Sequence, residues 1–154
     1  MLYLAYGSNI NKEQMKERCK DALFVTSGLL EDYTLVFDGY SNSRGGLVAD
    51  IRKELGKKVP YVLWRISDLD LRMLDCAEGY KKDRPNTQNS YYRTTINIPE
   101  FGNVYVYLMT PTFISKRQEN HIIPSEYISI IKDGYRYFRL DISYLEKAIN
   151  NVKS

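Results

Sequence analysis

Most apolar runs of this chain are joined by connections too short for a parallel pair, and this limits its fold more than any other feature. Runs rich in β-branched and aromatic residues occur at Leu2–Ala5, Leu23–Leu30, Tyr33–Phe37, Leu47–Ile51, Val59–Ile66, Tyr91–Ile98 and Val104–Thr110. Glu31-Asp32 alone separates the second from the third, and Glu54–Lys58 reads as a charged turn. Pro99-Glu100-Phe101-Gly102-Asn103 would join the last two runs as a hairpin. A parallel pair needs a crossover of a dozen or more residues, whereas hairpin neighbours need only a few. Seven such strands, with Pro60 near the start of its strand or at an edge, favour a mixed, curved or closed β-barrel over a doubly wound sheet.

Four helices complete an α+β pattern. Asn11 N-caps the first, which runs to Cys19. Ser67 and Asp70 open the second, with Leu69, Met73 and Leu74 on one face and Glu78-Gly79 as its stop. Pro124-Ser125 opens the third, ended by Gly134, and the fourth covers Ile142–Val152. Lys81–Ser90 is polar and holds Pro85-Asn86, which predicts a surface loop. At 154 residues, and without an internal repeat or linker, the chain is expected to form a single domain, residues 1–154.

Composition excludes several functions. Cys19 and Cys76 are too few for a disulfide framework and read as buried thiols; with His121 alone, no zinc site is expected. The formal charge of +3 is mild and spread along the chain, so no nucleic-acid partner is expected. No stretch reaches the roughly 20 apolar residues of a membrane span, and Met1–Ala5 lacks the form of a signal peptide. A cytoplasmic protein without a membrane partner, monomeric or a weak homodimer, is the expectation. The compositional oddity is 14 tyrosines, each an apolar ring with a hydroxyl that needs a partner.

Several segments could carry chemistry, and each has a plain alternative. Tyr6-Gly7-Ser8-Asn9 is either an ordinary strand-to-helix turn or a cradle whose N–H groups hold an anion. Glu78 is either a solvated helix end or an acid projecting into a cleft, where burial would raise its pKa. Tyr91, Tyr105 and Tyr107 on neighbouring strands, with Tyr127 on a helix, are either half-buried packing or the polar wall of a pocket. Arg44-Gly45-Gly46 is a hairpin tip or a close approach of backbone to ligand, and His121 reads as a surface residue.

In order along the chain these segments resemble the γ-glutamylcyclotransferase family, with its plant avirulence-induced (AIG2-like) and bacterial members. Tyr3-Leu4-Ala5-Tyr6-Gly7-Ser8-Asn9 looks like the family's substrate-binding loop, and Gly45–Ile51 like its small-residue strand. Val62-Leu63-Trp64 and Leu74-Asp75-Cys76-Ala77-Glu78-Gly79 look like the strand and acidic segment that supply its catalytic glutamate. Tyr91-Tyr92-Arg93, Tyr107–Thr110 and Pro124-Ser125-Glu126-Tyr127 match later elements, so the resemblance runs from residue 1 to about 135. It implies a barrel-like fold with a pocket at one mouth and a metal-free, cofactor-free cyclisation of a γ-glutamyl group to 5-oxoproline. Glu78 would be the general acid and base, and Tyr6, Gly7, Ser8, Asn9, Tyr91, Tyr107 and Tyr127 would bind a small γ-glutamyl substrate. A longer Lys81–Ser90 loop and a shorter Pro-Ser-Glu-Tyr spacing depart from the mammalian-type pattern beside the pocket, where they bear on substrate choice. The alternative is a non-catalytic binding or interaction module of the same fold, which would not need the acid.

Overall fold

A computed structural model describes residues 1–153. Two strands dominate it: β2 (Leu23–Ser41) and β3 (Gly46–Arg65) form one long antiparallel ribbon. The four expected runs between Leu23 and Ile66 are therefore two strands. The interruptions face each other in the register, with Glu31 opposite Lys58 and Tyr33 opposite Lys53, so the ladder resumes beyond them. Asp32 adopts a positive φ of 63° and its Oδ1 accepts the Gly56 N–H at 3.0 Å. Charged residues there make a bulge, which bends a ribbon without ending it. Pro60 lies inside β3, opposite Leu29. The neighbouring strand β1 (Leu2–Ala5) stops opposite Val62, so Pro60 sits at a local edge.

β4 (Tyr91–Ile98) and β5 (Gly102–Met109) form the expected hairpin, with Glu100 and Gly102 at positive φ in its turn. The sheet order is β2-β3-β1-β5-β4, antiparallel except where Tyr3 of β1 pairs with Tyr105 of β5. The sheet curls but does not close, because β2 and β4 remain its edges. The expected curved, mixed sheet is present; among the described residues the closed barrel is not, and five strands stand where seven were expected.

Helices flank this sheet. In α1 (Lys12–Arg18), Oδ1 of the N-cap Asn11 accepts from the Gln14 N–H. α2 (Asp68–Ala77) opens with a complete capping box of Ser67 and Asp70. The short α3 (Pro111–Ser115), absent from the sequence reading, uses Thr110 as N-cap and Pro111 at its first position. α4 (Ser125–Tyr137) and α5 (Ile142–Lys153) complete the set. Gly134 lies within α4 and does not end it. A Cβ there would come 2.8 Å from Ile10 Cγ2 and 2.9 Å from the Asn11 nitrogen, so glycine allows α4 to lie against the Ser8–Ile10 turn.

The buried face of α2 also differs from expectation. Leu74 is buried, but Leu69 and Met73 are 60% and 48% exposed. Asp70 goes inward in their place, because its carboxylate closes the capping box and also accepts the Asp21 N–H. Asp70, Leu74 and Glu78 are spaced by four and share the inward face. Cys19 is buried, while Cys76 is exposed. No helix among the described residues is long and apolar enough to cross a membrane.

Candidate functional site

The sheet opens where β1 ends. Beyond Ala5 the chain turns through Tyr6 and Gly7 into a single 3₁₀ turn, Ser8–Ile10, and no strand continues between β3 and β5. Side chains bridge the opening. Tyr6 donates its hydroxyl to the Tyr107 carbonyl at 2.7 Å, and Tyr91 donates to the Ala49 carbonyl at 2.7 Å. Tyr127 accepts the Ala49 N–H at 3.0 Å, and Asp50 Oδ1 accepts the Met109 N–H at 3.2 Å. Beneath them lies a cavity of about 40 Å³, lined by Tyr3, Tyr6, Gly7, Ser8, Asn9, Ala49, Glu78, Tyr91, Tyr107 and Tyr127. Glu78 and the seven residues expected to bind substrate all meet there, whereas Tyr105, Arg44 and His121 do not line it. Tyr3 and Ala49 also line it; both lie in the segments Tyr3–Asn9 and Gly45–Ile51 that carry the resemblance, without being named there as site residues.

Glu78 caps α2, one turn past Leu74, and its side chain is 17% exposed. Burial raises its pKa above the ordinary carboxylate range, while Arg18 and Arg44 pull it back down. Asn9, 3% exposed, donates Nδ2–H to Glu78 Oε1 at 3.3 Å and to the Tyr3 hydroxyl at 3.0 Å. Its Oδ1 accepts from Gln14 Nε2 at 2.9 Å and Arg18 Nη1 at 3.0 Å. Both donors and both lone pairs of this amide are thus in use within the protein. Its backbone carbonyl is occupied as well, accepting Trp64 Nε1–H at 3.0 Å. Asn9 therefore fixes the carboxylate, and its side chain has no hydrogen bond left for a ligand.

Gln14 and Arg18, which the sequence reading passed over, link α1 to this turn. Gln14 Nε2 also donates to Ser8 Oγ at 2.7 Å, and its Oε1 accepts from Arg44 Nη2 at 2.6 Å. Ser8 Oγ is bonded as an acceptor, so its own proton can be donated into the cavity. The turn's internal bonds are Ile10 N–H to the Gly7 carbonyl and Asn11 N–H to the Ser8 carbonyl. The N–H groups of Gly7, Ser8 and Asn9 lie outside those bonds. A Cβ on Gly7 would reach within 3.3 Å of Ala49 Cβ and 3.5 Å of the Tyr127 hydroxyl, two of the cavity's walls.

The tyrosines divide by what their hydroxyls do. Tyr107 donates to Asp75 Oδ1 at 2.6 Å, and Arg93 holds the other carboxylate oxygen. Tyr105 shares that sheet face but packs under the Arg93 guanidinium, outside the cavity. Tyr127 accepts from Ala49 and keeps its proton available; burial pushes its pKa up to about 12, so it stays a neutral donor. Asp50, another residue passed over, is pushed up to about 6 by burial despite N–H bonds from Met109 and Ile51. The inner cavity opens into a cleft of about 590 Å³, and the two share Ser8, Glu78, Tyr91 and Tyr127 at the throat.

Residues 3–129 match the sequence model of the family described as "Gamma-glutamyl cyclotransferase, AIG2-like". This chain belongs to that family. Two proteins named gamma-glutamylcyclotransferase are similar to it, the mouse one at 33% identity over 84 residues and the human one at 36% over 87. Each match covers 52% of this chain and 45% of the relative, so the chain matches about half the length of these curated relatives. A solved structure titled "Gamma-glutamyl cyclotransferase" superposes with a TM-score of 0.73 at 28% identity, covering 96% of this chain and 85% of its own. The γ-glutamyl cyclotransferase, AIG2-like fold thus extends through almost the whole chain, beyond the segment matched in sequence.

Proposed function

We propose that this chain cyclises a γ-glutamyl group to 5-oxoproline and releases the amine or amino acid attached to it. The observation that carries this reading is a buried, raised-pKa carboxylate at the throat of a cavity whose other walls supply N–H and O–H donors. The α-amine nitrogen attacks its own γ-carbonyl carbon, a ring C–N bond forms, and the bond to the leaving nitrogen breaks. Glu78 takes the proton lost by the attacking amine and returns it to the departing nitrogen, so no net proton is consumed at the enzyme. The turn N–H groups and the Ser8 and Tyr127 hydroxyls favour the negative charge of the α-carboxylate or of the oxyanion. Gathering a flexible chain into its ring-closing shape supplies a further large part of the acceleration.

Incubation with γ-glutamyl amino acids, γ-glutamyl amines and glutathione, with 5-oxoproline as the readout, tests the reading. Release from at least one class is expected, and Glu78→Gln should lower turnover by roughly 10²–10⁴ with the fold intact. Near-normal turnover by that variant would remove Glu78 from the reaction, and no release from any substrate would overturn cyclotransfer.

A further inference from the structure

The chain between Glu78 and Tyr91 reads in sequence as an open surface loop, yet both of its ends are tied down. α2 ends in a Schellman motif: the Gly79 N–H bonds the Cys76 carbonyl at 3.2 Å and the Tyr80 N–H the Asp75 carbonyl at 2.9 Å, with Gly79 at a φ of 65°. On its return the chain places the Ser90 N–H on the Gly79 carbonyl at 3.2 Å and the Tyr91 N–H on the Glu78 carbonyl at 3.3 Å. Those two bonds set Glu78 beside Tyr91, and both residues line the cavity. Two side chains fasten the excursion between them. Asn89 is 3% exposed, while residues 81–83 and 85–88 are open to solvent. Its Oδ1 accepts the Lys81 N–H at 3.1 Å and Arg84 Nε–H, and its Nδ2 donates to the Lys81 carbonyl at 3.3 Å and to Asn86 Oδ1 at 3.0 Å. The carbonyls of Asn89 and Ser90 accept the hydroxyl and N–H of Thr110, the N-cap of α3, at 2.7 and 3.0 Å. Arg84 completes the fastening. While its Nε engages Asn89, its Nη2 donates to the Gly79 carbonyl at 2.9 Å, the oxygen that also takes the Ser90 N–H. One guanidinium fork thus ties the outgoing end of the loop to the returning end. Both of its acceptors are neutral, and the cations acting on the Glu78 carboxylate are Arg18 and Arg44, so Arg84 contributes placement and not charge.

We infer that Arg84, acting with Asn89, is a positioning residue for Glu78: the loop of residues 80–90 is a fixed clasp and not a moving lid, and it holds the acid in register with Tyr91. This rests on the cyclotransfer reading, in which Glu78 takes a proton from one nitrogen and returns it to another. A carboxylate that must meet two nitrogens in turn tolerates little displacement, and a misplacement of about 1 Å can cost about 100-fold. Unfastened, Gly79 has the backbone freedom to let that displacement happen, because no Cβ restricts it. The Glu78 N–H stays bonded to the Leu74 carbonyl at 2.9 Å, so release of the clasp loosens the acid from one side and leaves α2 formed.

Three variants test this. Arg84→Met keeps the stem and removes the fork, Arg84→Lys keeps the charge on a single ammonium, and Lys82→Met, on the exposed part of the same loop, is the control. With 5-oxoproline release as the readout, kcat should fall about 10- to 100-fold in Arg84→Met, with KM and the pH midpoint unchanged. Arg84→Lys should recover little of that loss, and Lys82→Met should match the wild type. Amide hydrogen exchange reads the clasp without turnover: the Ser90 and Tyr91 N–H groups should be protected in the wild type and exchange at least about 10-fold faster in Arg84→Met. A folded Arg84→Met with normal kcat overturns the inference by making the clasp structural only. A loss that Arg84→Lys restores, or one that comes with a shifted pH midpoint, overturns it by making Arg84 a matter of charge. Rapid exchange at Ser90 and Tyr91 in the wild type makes the loop a lid and overturns it as well. Protected amides that Arg84→Met releases, in a protein that yields no 5-oxoproline from any γ-glutamyl substrate, leave the clasp standing and overturn cyclotransfer.

Discussion

Replacing Asn9 with leucine tests how the carboxylate is controlled. The two side chains are close in shape, so the change removes four hydrogen bonds and little volume. The bond to Glu78 matters most for chemistry, because an N–H donor favours the charged form of an acid. A hydrogen bond to a charged group contributes about 1.5–3 kcal/mol. At 3.3 Å the Asn9–Glu78 bond is long, so the lower figure applies. Losing it disfavours the carboxylate form, so the pKa of Glu78, already raised by burial, rises further. The base must be ionised to accept a proton, so the rise of kcat/KM with pH should move to higher pH. The substitution also leaves Tyr3 and Glu78 short of a partner in a buried site, while Gln14 keeps Ser8 and Arg18 can turn to solvent. A stability loss of about 2–4 kcal/mol follows. The assay is a pH profile of kcat/KM alongside urea unfolding of the same protein. A destabilised variant whose profile stays at the wild-type position would refute the argument, since it would make Asn9 structural with no hold on the base.

Other substitutions test neighbouring parts. Asp50 has a folded-state pKa of about 6 against 3.8 unfolded, so the stability of its neutral form is fully present below about pH 4 and lost as pH rises through 6. That loss is about 3 kcal/mol, and Asp50→Asn, which keeps the acceptor for Met109, should be more stable than wild type at pH 7 but not at pH 4 by chemical denaturation. Gly7→Ala puts a methyl 3.3 Å from Ala49 Cβ, between two walls of the cavity; kcat/KM should fall at least about 10-fold with an unchanged melting temperature, and normal kinetics would remove the turn from the binding surface. Gly134→Ala must push α4 off Ile10 and Asn11, costing about 1–3 kcal/mol in a thermal melt, and an unchanged Tm would show that α4 is not held against the turn.

The short connections make the antiparallel character legible, and the order of motifs brings out eight of the ten residues that line the cavity. Boundaries failed where two breaks compensate: Asp32 and Glu54–Lys58 each read as a turn alone, yet opposite one another they form a bulge. Apolar periodicity favoured Leu69 and Met73 for the core, but the capping box turned Asp70 inward, and with it Leu74 and Glu78. That i, i+4, i+8 spacing was present in the sequence and is what aims the acid at the cavity. Gln14 and Arg18 were illegible because their roles depend on long side chains folding back from α1 onto the turn. Arg44 drew notice for the glycines beside it and not for its own charge.

The places of three of the 14 tyrosines follow from the length of β1. A strand of four residues leaves the far ends of β3 and β5 without the neighbour that would take up their backbone groups. Buried N–H and C=O groups must find partners, and a long, stiff side chain ending in a hydroxyl can reach across a missing strand. Tyr6 supplies the Tyr107 carbonyl, Tyr91 the Ala49 carbonyl, Tyr127 the Ala49 N–H, and Asp50 the Met109 N–H. Side chains fill a gap less completely than a strand does, and the space left between them is the cavity. The short strand that weakens the sheet therefore also makes the site, and it makes it beside the helix end where Glu78 enters.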